Sequence, residues 1–555
     1  MMRAVCWLCL LAVGTLNAQN VPELYRKTDA QAMNQWVDSV FDSMTLNEKI
    51  GQLFMVVADP RPASHKRILK LIREQKIGGI LFSKGDLYDY ARSINRYQKN
   101  SRIPLFISFD GEWGLSMRID RTPRFPKNMM LGAIGDNEWL VRYGEEMGRE
   151  CRALGVHINF APVLDVNSNP DNPVIGTRSF GENPQLVAEK GLAYASGLEK
   201  MRVLSVGKHF PGHGDTSEDS HKTLPEVRQS RARLDSVELY PFRQYIRGGY
   251  AGIMTGHLLV PALDSLSKRA SSLSPAFVTG LLTDEWGFEG LKFTDALAMK
   301  GAAAGASSVC VESLLAGNDV LLSPPQPAAE FAAVKQAVET GLIPMSVMEE
   351  KCRKILRYKY ICGLNRYRPT VLRNLDDRIH SEYSRELVQR LNEEAVTLLK
   401  NEPGALPLSP SERKVAVVSL GDEPVEAFRD ILDASGRPFD FFRWKGEEED
   451  YPTELFEKLE TYDAILWAIH SDKIPVYPEI QSLAERKAAH FCFFIAPYQL
   501  TKYASTIAPA QSVTLAYENT DEAQKAAGRI LLGQIPAKGK LPVTIDGLFE
   551  YGVGF

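Results

Sequence analysis

Eight short apolar runs recur through the first two-thirds of this 555-residue chain, and longer helix-like patterns separate them. The runs are rich in Val, Ile, Leu and Phe without clean alternation, which is typical of parallel strands buried on both faces. They are QLFMVV near residue 52, GGILFS, IPLFISFD, VHINFAPVLDV, VLSVGKHF, AGIMTGH, GLKFTDA and NDVLLSP near residue 318. An open doubly wound sheet would share this pattern, but eight strand–helix units favour a closed (β/α)8 TIM-type barrel.

A second alternating block follows, with the apolar runs KVAVVSLG, FDFFRW, DAILWAIH, HFCFFIA and SVTLAY. It predicts a smaller α/β sandwich domain with a mostly parallel sheet. A chain of this length exceeds one ordinary core, so a division into domains is expected. We predict a signal peptide at 1–19, the barrel domain at 20–370, a helical connector at 371–400 and the C-terminal α/β sandwich domain at 401–555.

The first nineteen residues have the pattern of a secretory signal peptide: one Arg, an apolar stretch, then small and polar residues ending at Ala18. A buried first helix is the alternative reading, and the apolar stretch is too short to cross a bilayer. We therefore expect an exported protein, periplasmic or extracellular, that keeps no membrane span once the signal is removed.

Charge and cysteine usage exclude several classes of protein. The chain has 65 basic and 69 acidic residues, and its net charge of −4 does not indicate a nucleic-acid or anionic-membrane partner. The five cysteines beyond the signal peptide are scattered and odd in number, which predicts neither a disulfide framework nor a zinc ribbon.

Several polar residues stand where an apolar run ends. In a (β/α)8 barrel the carboxyl ends of the strands form the rim that carries active sites, so these side chains are expected to converge. For His257 two positions stay open, one lining the pocket and one packed beneath it. The residues are Asp110, Asp165, Lys208, His209, His257 and Asp295.

The segment KHFPGHGDTSEDSHKTLP, residues 208–225, is unusually rich in titratable groups. A metal site is one interpretation, but Pro211 and Gly212 argue against the helix on which an HxxxH pair binds zinc, although a loop could still ligate a metal. A solvated polar loop is a second interpretation. The metal reading would use His209, His213, Asp215 and His221.

A third interpretation of the segment is acid–base catalysis. Asp219 and His221 are two residues apart, so in an extended segment they lie on the same side. A carboxylate beside an imidazole fixes its tautomer and raises its pKa, which makes a proton donor near neutral pH. Such an acid needs a partner, and Asp295 could be a nucleophile, a general base, a metal ligand or merely a helix N-cap.

Taken together, these segments resemble glycoside hydrolase family 3, and within it the bacterial β-N-acetylglucosaminidase branch. KHFPGHGDT followed by DSH, at 208–221, is similar to the signature of that branch, and FTDALAMKG at 293–301 resembles the nucleophile segment of the family. FDGEWGLSMR at 109–118 and NPVIGTRSFG at 172–181 look like its third-strand motif and its arginine loop. The resemblance extends over roughly residues 35–370, and the second domain matches more loosely.

The resemblance implies a retaining exo-β-N-acetylglucosaminidase that acts on cell-wall (peptidoglycan) fragments or chitin-type oligosaccharides through a glycosyl–enzyme intermediate. Asp295 would be the nucleophile, and His221, oriented by Asp219, the general acid and base in place of a carboxylic acid. Trp113 stands where the family pattern has a second glycine, which would reshape the sugar pocket. The residues expected to bind the sugar are Asp110, Arg118, Arg178, Lys208 and His209.

Alternatives within the same family are a β-glucosidase or β-xylosidase and an N-acetylglucosaminide phosphorylase. In other branches the proton comes from an acidic residue outside the barrel, for which GEEEDYP at 446–452 is the candidate, although a solvated face explains that run better. More remote readings are a barrel metallohydrolase and a silent carbohydrate-binding protein. We predict a carbohydrate substrate, no metal and no cofactor, and the oligomeric state stays open.

Overall fold

The barrel is built from eight parallel strands, in a computed structural model that describes residues 23–220, 222–265, 268–302, 307–408, 414–445 and 453–555. The strands pair in the order β7-β6-β5-β4-β3-β2-β1-β8, and a bridge between Phe293 and Val320 joins β7 to the segment leading into β8. Nearly every strand position is buried, which explains the continuous apolar runs and confirms the barrel fold. The strands are β1 Phe54–Ala58, β2 Gly79–Phe82, β3 Phe106–Phe109, β4 Ile158–Asn159, β5 Leu204–Phe210, β6 Gly252–Thr255, β7 Leu291–Thr294 and β8 Leu321–Leu322.

Amphipathic helices surround these strands. In helix α7, Glu138–Leu154, buried residues recur at helical spacing, and the helix ends at Gly155, whose φ of 89° favours glycine. A π-helix covers Ala276–Glu285. The other helices are α1 Glu23–Arg26, α2 Ala30–Asp42, α3 Leu46–Gly51, α4 His65–Glu74, α5 Leu87–Lys99, α6 Asn128–Gly132, α8 Pro184–Lys200, α9 Arg231–Ser236, α10 Tyr240–Arg247, α11 Val309–Ala316, α12 Pro327–Glu339 and α13 Met345–Ile361.

The second domain contains a six-stranded sheet in the order β11-β10-β12-β13-β14-β9. Five strands are parallel, as predicted, and β9 pairs antiparallel with β14 at one edge. The connector holds two helices, and β9 begins at Thr397, within the range expected to be helical. The elements are α14 Leu375–Ile379, α15 Glu382–Ala395, β9 Thr397–Asn401, β10 Val415–Leu420, α16 Glu426–Ala434, β11 Phe439–Trp444, α17 Thr453–Leu459, β12 Ala464–Ile469, α18 Pro478–Arg486, β13 Ala488–Phe493, α19 Ala504–Ile507, β14 Ser512–Leu515 and α20 Asp521–Leu531.

Polar contacts join the second domain to the barrel. Arg124 of the barrel donates to Glu518 at 2.7 Å. The last residues of the chain also return to the barrel, because the Glu182 amide donates to the Pro542 carbonyl at 3.2 Å and the Thr544 hydroxyl donates to the Glu182 carboxylate at 2.7 Å. The loop that follows Arg178 therefore packs against residues close to the end of the chain.

Two global properties of the described residues bear on the sequence predictions. Their five cysteines are free and buried, so disulfides do not hold these parts of the chain together: Cys151, Cys310, Cys352, Cys362 and Cys492. No helix within the described ranges has both the length and the apolarity that a bilayer crossing requires. The predicted signal peptide at 1–19 lies outside the described residues.

Candidate active site

A continuous chain of ion pairs lines the carboxyl ends of β3 and β5. Arg118 Nη2 lies 2.7 Å from Asp110 Oδ2, and Lys208 Nζ lies 3.0 Å from the other oxygen of Asp110. The same Lys208 ammonium is 2.8 Å from Glu112 Oε1. Arg178 donates hydrogen bonds to both oxygens of Glu112, from Nη2 at 2.7 Å and from Nε at 2.9 Å. The structure thus brings together four of the predicted sugar-binding residues, with Glu112 between them.

The interior of this network is buried, and its outer members face solvent. The side chains of Glu112 and Lys208 are 0 % and 3 % exposed, whereas those of Asp110 and Arg118 are 20 % and 26 % exposed. Burial alone would raise the pKa of Glu112, but the charges of Arg178 and Lys208 outweigh it and hold the pKa well below its usual range. Burial is likewise outweighed at Asp110, where Lys208 and Arg118 lower the pKa. Each acid is therefore ionised at neutral pH.

Asp165, at the end of the β4 segment, organises the start of the histidine-rich loop. Its carboxylate accepts from His209 Nδ1 at 2.7 Å and from the His213 backbone amide at 2.7 Å. The other ring nitrogen of His209 lies 3.4 Å from Arg178 Nη2, so the fifth predicted sugar-binding residue joins the same cluster. Burial opposes ionisation of Asp165, but the nearby charge of His209 lowers its pKa.

Asp295 directly follows β7 and is only partly exposed. Its backbone amide donates to the Thr255 carbonyl at 2.9 Å, and its Oδ1 accepts from the Ala296 amide at 2.7 Å. Burial would raise the pKa of Asp295, but the charges of His209 and His257 lower it, so the carboxylate is ionised. An ionised carboxylate at this rim can act as a nucleophile or a base.

His257 packs beneath Asp295 instead of lining the surface of the pocket. It is fully buried, its Nε2 donates to the Ala296 carbonyl at 3.1 Å, and its Nδ1 lies 2.7 Å from the Ser272 hydroxyl. Of the two positions left open by the sequence, the structure thus favours the one beneath the pocket.

The loop that carries Asp219 packs against the segment after Asp295. A Cβ built on Gly301 would lie 2.8 Å from the Thr223 carbonyl oxygen and 3.0 Å from that of Ser220. Only glycine allows the two segments to approach this closely. His221 itself lies outside the described residues, so its predicted role stays a prediction, as does that of GEEEDYP at 446–452.

The metal interpretation of the histidine-rich loop finds little support in these contacts. Both ring nitrogens of His213 are hydrogen-bonded, Nε2 with Ser220 at 2.9 Å and Nδ1 with Thr216 at 2.8 Å, and burial lowers the pKa of this histidine to about 4. Asp215 accepts from Gln229 at 2.8 Å. Outside His221 and the other undescribed positions, no group of three or more His, Cys, Asp or Glu is placed to hold a metal ion.

Sequence reasoning left the roles of two residues in this site unassigned. Asp165 was predicted to lie at the rim but was given no role, and Glu112, within the motif FDGEWGLSMR, was not predicted to belong to the site. Glu112 follows Asp110 by two positions, a spacing that could have predicted a second carboxylate on the same rim.

Trp113, the residue that departs from the family pattern, is half-buried, and the Lys127 ammonium lies 5.7 Å from the centre of its ring.

Comparison with known proteins gives consistent matches. Residues 45–358 match the N-terminal domain of glycosyl hydrolase family 3. The chain is 29 % identical to a β-hexosaminidase A from Pseudoalteromonas piscicida, over 86 % of this chain and 90 % of that protein. It is 35 % identical to a β-hexosaminidase from Neisseria meningitidis serogroup C, over 44 % of this chain and 71 % of that protein.

A solved structure with the same fold is a family 3 β-N-acetylglucosaminidase from Paenibacillus sp. str. FPU-7. The TM-score is 0.78 at 31 % sequence identity, and the match covers 91 % of this chain and 99 % of that one. Both domains described above are therefore shared with that structure.

Proposed function

This chain belongs to glycosyl hydrolase family 3 and is a glycoside hydrolase, and we propose that it is a retaining exo-β-N-acetylglucosaminidase. The observation that carries this proposal is the position of the Asp295 carboxylate directly after β7, on the same carboxyl-end rim of the barrel as the ion-pair network, where barrel enzymes hold their substrates. The names of the similar hexosaminidases and of the Paenibacillus enzyme support the choice of N-acetylglucosamine as the sugar.

The reaction would proceed in two steps. In the first, a carboxylate oxygen of Asp295 bonds to the anomeric carbon while the glycosidic bond breaks, and His221 gives its proton to the leaving oxygen. In the second, His221 takes a proton from water, the water oxygen bonds to the anomeric carbon, and the ester bond to Asp295 breaks. Asp219 would hold the imidazole in the orientation that both steps need.

The ion-pair network would bind the hydroxyl groups of the sugar. Asp110 and Arg118 are partly exposed, as is Arg178, and each is oriented by a charged neighbour. A group that is already oriented loses little entropy when substrate binds, so it can place the anomeric carbon against Asp295. Arg178, Lys208 and His209 would complete the set.

The natural substrate would be a peptidoglycan fragment or a chitin-type oligosaccharide outside the cytoplasm. An exported enzyme of this specificity would meet such glycans in the periplasm or the extracellular space. The proposal needs no cofactor, because the nucleophile and the acid are both supplied by the chain.

The test combines two variants and two kinds of substrate. Asp295→Asn is expected to abolish turnover of nitrophenyl N-acetylglucosaminide with a normal unfolding temperature, whereas Asp235→Asn, in a surface ion pair of the barrel, should retain activity. His221→Ala should slow natural oligosaccharides far more than nitrophenyl substrates, whose leaving groups need little protonation. Equal losses on both would contradict the acid role of His221.

Four measurements separate the alternatives. Proton NMR should find the β-anomer as the first sugar released, as retention requires. Nitrophenyl glucoside or xyloside cleaved faster than the N-acetylglucosaminide would assign a different sugar. Sugar 1-phosphate formed in phosphate buffer would identify a phosphorylase, and loss of activity with a chelator would indicate a metallohydrolase.

A further inference from the structure

A second cavity of about 770 Å³ lies at the amino-terminal end of the barrel, across the strands from the candidate active site. Lys292 is near the start of β7, and Asp319 comes shortly before β8. Helix α13, the π-helix and α11 form the other walls. The charged and hydroxyl-bearing side chains that matter here are Thr283, Lys292, Asp319, Lys351, Lys354 and Tyr358.

Three lysines surround one buried carboxylate at this cavity, and the ammonium groups of two of them pair with it. Asp319 is 2 % exposed; its Oδ2 lies 2.8 Å from Lys354 Nζ, and its Oδ1 lies 3.5 Å from Lys351 Nζ. Lys292 directs its ammonium to the Thr283 hydroxyl at 2.7 Å, and its backbone amide donates to Asp319. Lys292 and Lys351 are both buried. One carboxylate balances one of these charges and leaves an excess of positive charge at the wall of the cavity.

The remaining carboxylates do not remove this excess. Glu289 and Glu350 also line the cavity, but both are exposed, so water screens their charges. Burial lowers the pKa of Lys292 to about 8 and that of Lys351 below its usual value, and the neighbouring ammonium of Lys354 lowers both further. Buried cations are rarely left without a full complement of anions, so a further anion would stabilise this arrangement.

The rest of the lining indicates the kind of anion. The cavity has the volume of a site for a small organic molecule, which is well above the volume of an inorganic oxyanion alone. Apolar and aromatic side chains cover the walls, and the buried Tyr358 carries a hydroxyl with no hydrogen-bond partner among the described residues. The apolar part of the lining is Tyr25, Phe288, Leu314, Leu315 and Val347.

We propose that this cavity binds a small organic anion, a phosphorylated or carboxylated molecule with a ring-sized body, whose charged group contacts Lys292, Lys351 and Lys354. The ring would lie against the aromatic and aliphatic walls. The site is separate from the saccharide-binding rim and does not depend on the proposed activity. Occupancy would stabilise the amino-terminal end of the barrel by mass action.

The experiment titrates the full-length protein with glucose 6-phosphate, with citrate and with neutral glucose, by calorimetry at constant ionic strength. Glucose 6-phosphate or citrate should bind, and glucose should give no heat from this site. In a Lys292→Met, Lys354→Gln double variant the dissociation constant of the anion should rise at least about tenfold, since each lysine supplies a charge-assisted contact. Nitrophenyl glycoside turnover should be unchanged, which shows that the double variant is folded.

Lys335→Gln on α12 is the matched control, because this lysine lies outside the cavity and pairs with Glu339 on the surface. It should bind the anion as the wild type does. Lys354→Gln alone, at a half-buried position, repeats the test if the double variant is unstable. No binding of either anion by the wild type, or equal binding by the wild type and the lysine variants, would overturn the proposal; equal binding would place the anion elsewhere, the active site included.

Discussion

Glu112→Gln tests whether the buried carboxylate holds the sugar-binding cations in place. The side chain is 0 % exposed and makes three charge-assisted contacts, two with Arg178 and one with Lys208. Glutamine has nearly the same shape, but its amide nitrogen can only donate, and it would face a cation that also donates. At most one oxygen remains to accept, so the two cations lose their shared negative partner.

The expected size of the effect follows from these contacts. Removing one partner from a buried ion pair costs about 3–5 kcal/mol of folding stability. If Arg178 or Lys208 then moves from its place, one charge-assisted contact to the sugar is weakened, worth about 1.5–3 kcal/mol. At about 1.4 kcal/mol per tenfold, kcat/KM should fall about 10- to 100-fold.

The assay measures kcat/KM on nitrophenyl N-acetylglucosaminide together with the unfolding temperature. Glu145→Gln is the matched control, because Glu145 pairs with Lys200 at 2.8 Å on the exposed face of α7. Such a surface pair contributes about 0–1 kcal/mol, so both quantities should stay near those of the wild type. If Glu112→Gln behaved like this control, the network would not be what positions the cations.

Three further outcomes are expected. Gly301→Ala should lower kcat at least tenfold, because its Cβ would collide with carbonyl oxygens of the histidine-rich loop, whereas Gly135→Ala, where a Cβ meets nothing within 4 Å, should leave kcat unchanged. Burial lowers the pKa of His213 to about 4, so as pH falls the unfolded chain takes up the extra proton before the folded chain does. The free energy of unfolding should therefore decrease between about pH 6.5 and pH 4, by up to about 3 kcal/mol from this group. His213→Asn should reduce this pH dependence in thermal unfolding, and an unchanged dependence would contradict the assignment. Arg124→Ala should lower the unfolding temperature, because it leaves the carboxylate of Glu518, only 8 % exposed, without its cation across the domain boundary; an unchanged unfolding temperature would refute this.

The barrel was predictable because its strands are buried on both faces. Each strand reads as a short apolar run, and eight runs with helices between them leave few alternatives. Strand β9 was missed because Thr397 follows α15 after a single intervening residue, with no glycine or proline to mark a boundary. Its strand character comes from pairing with β14, more than a hundred residues later, and no local pattern reports such a partner.

The candidate site was predictable to the extent that its residues stand at strand ends. Asp110, Lys208 and Asp295 were identified this way because a barrel brings those ends together. Glu112 was missed because its importance depends on Arg178, which is 66 positions away and reaches it only in the folded chain. The roles of Asp219 and His221 continue to be predictions.

The contacts of Pro542 and Thr544 with the barrel have a consequence for biosynthesis. The loop after Arg178 is supported by the Pro542 carbonyl and by the side chain of Thr544, which is translated 362 residues after Glu182. Domains generally fold in order as the nascent chain emerges. The barrel can therefore form before Pro542 and Thr544 are available to contact this loop. A polypeptide truncated before Pro542 would contain all the proposed catalytic residues. It would lack the contacts that support the loop after Arg178, at one side of the binding site.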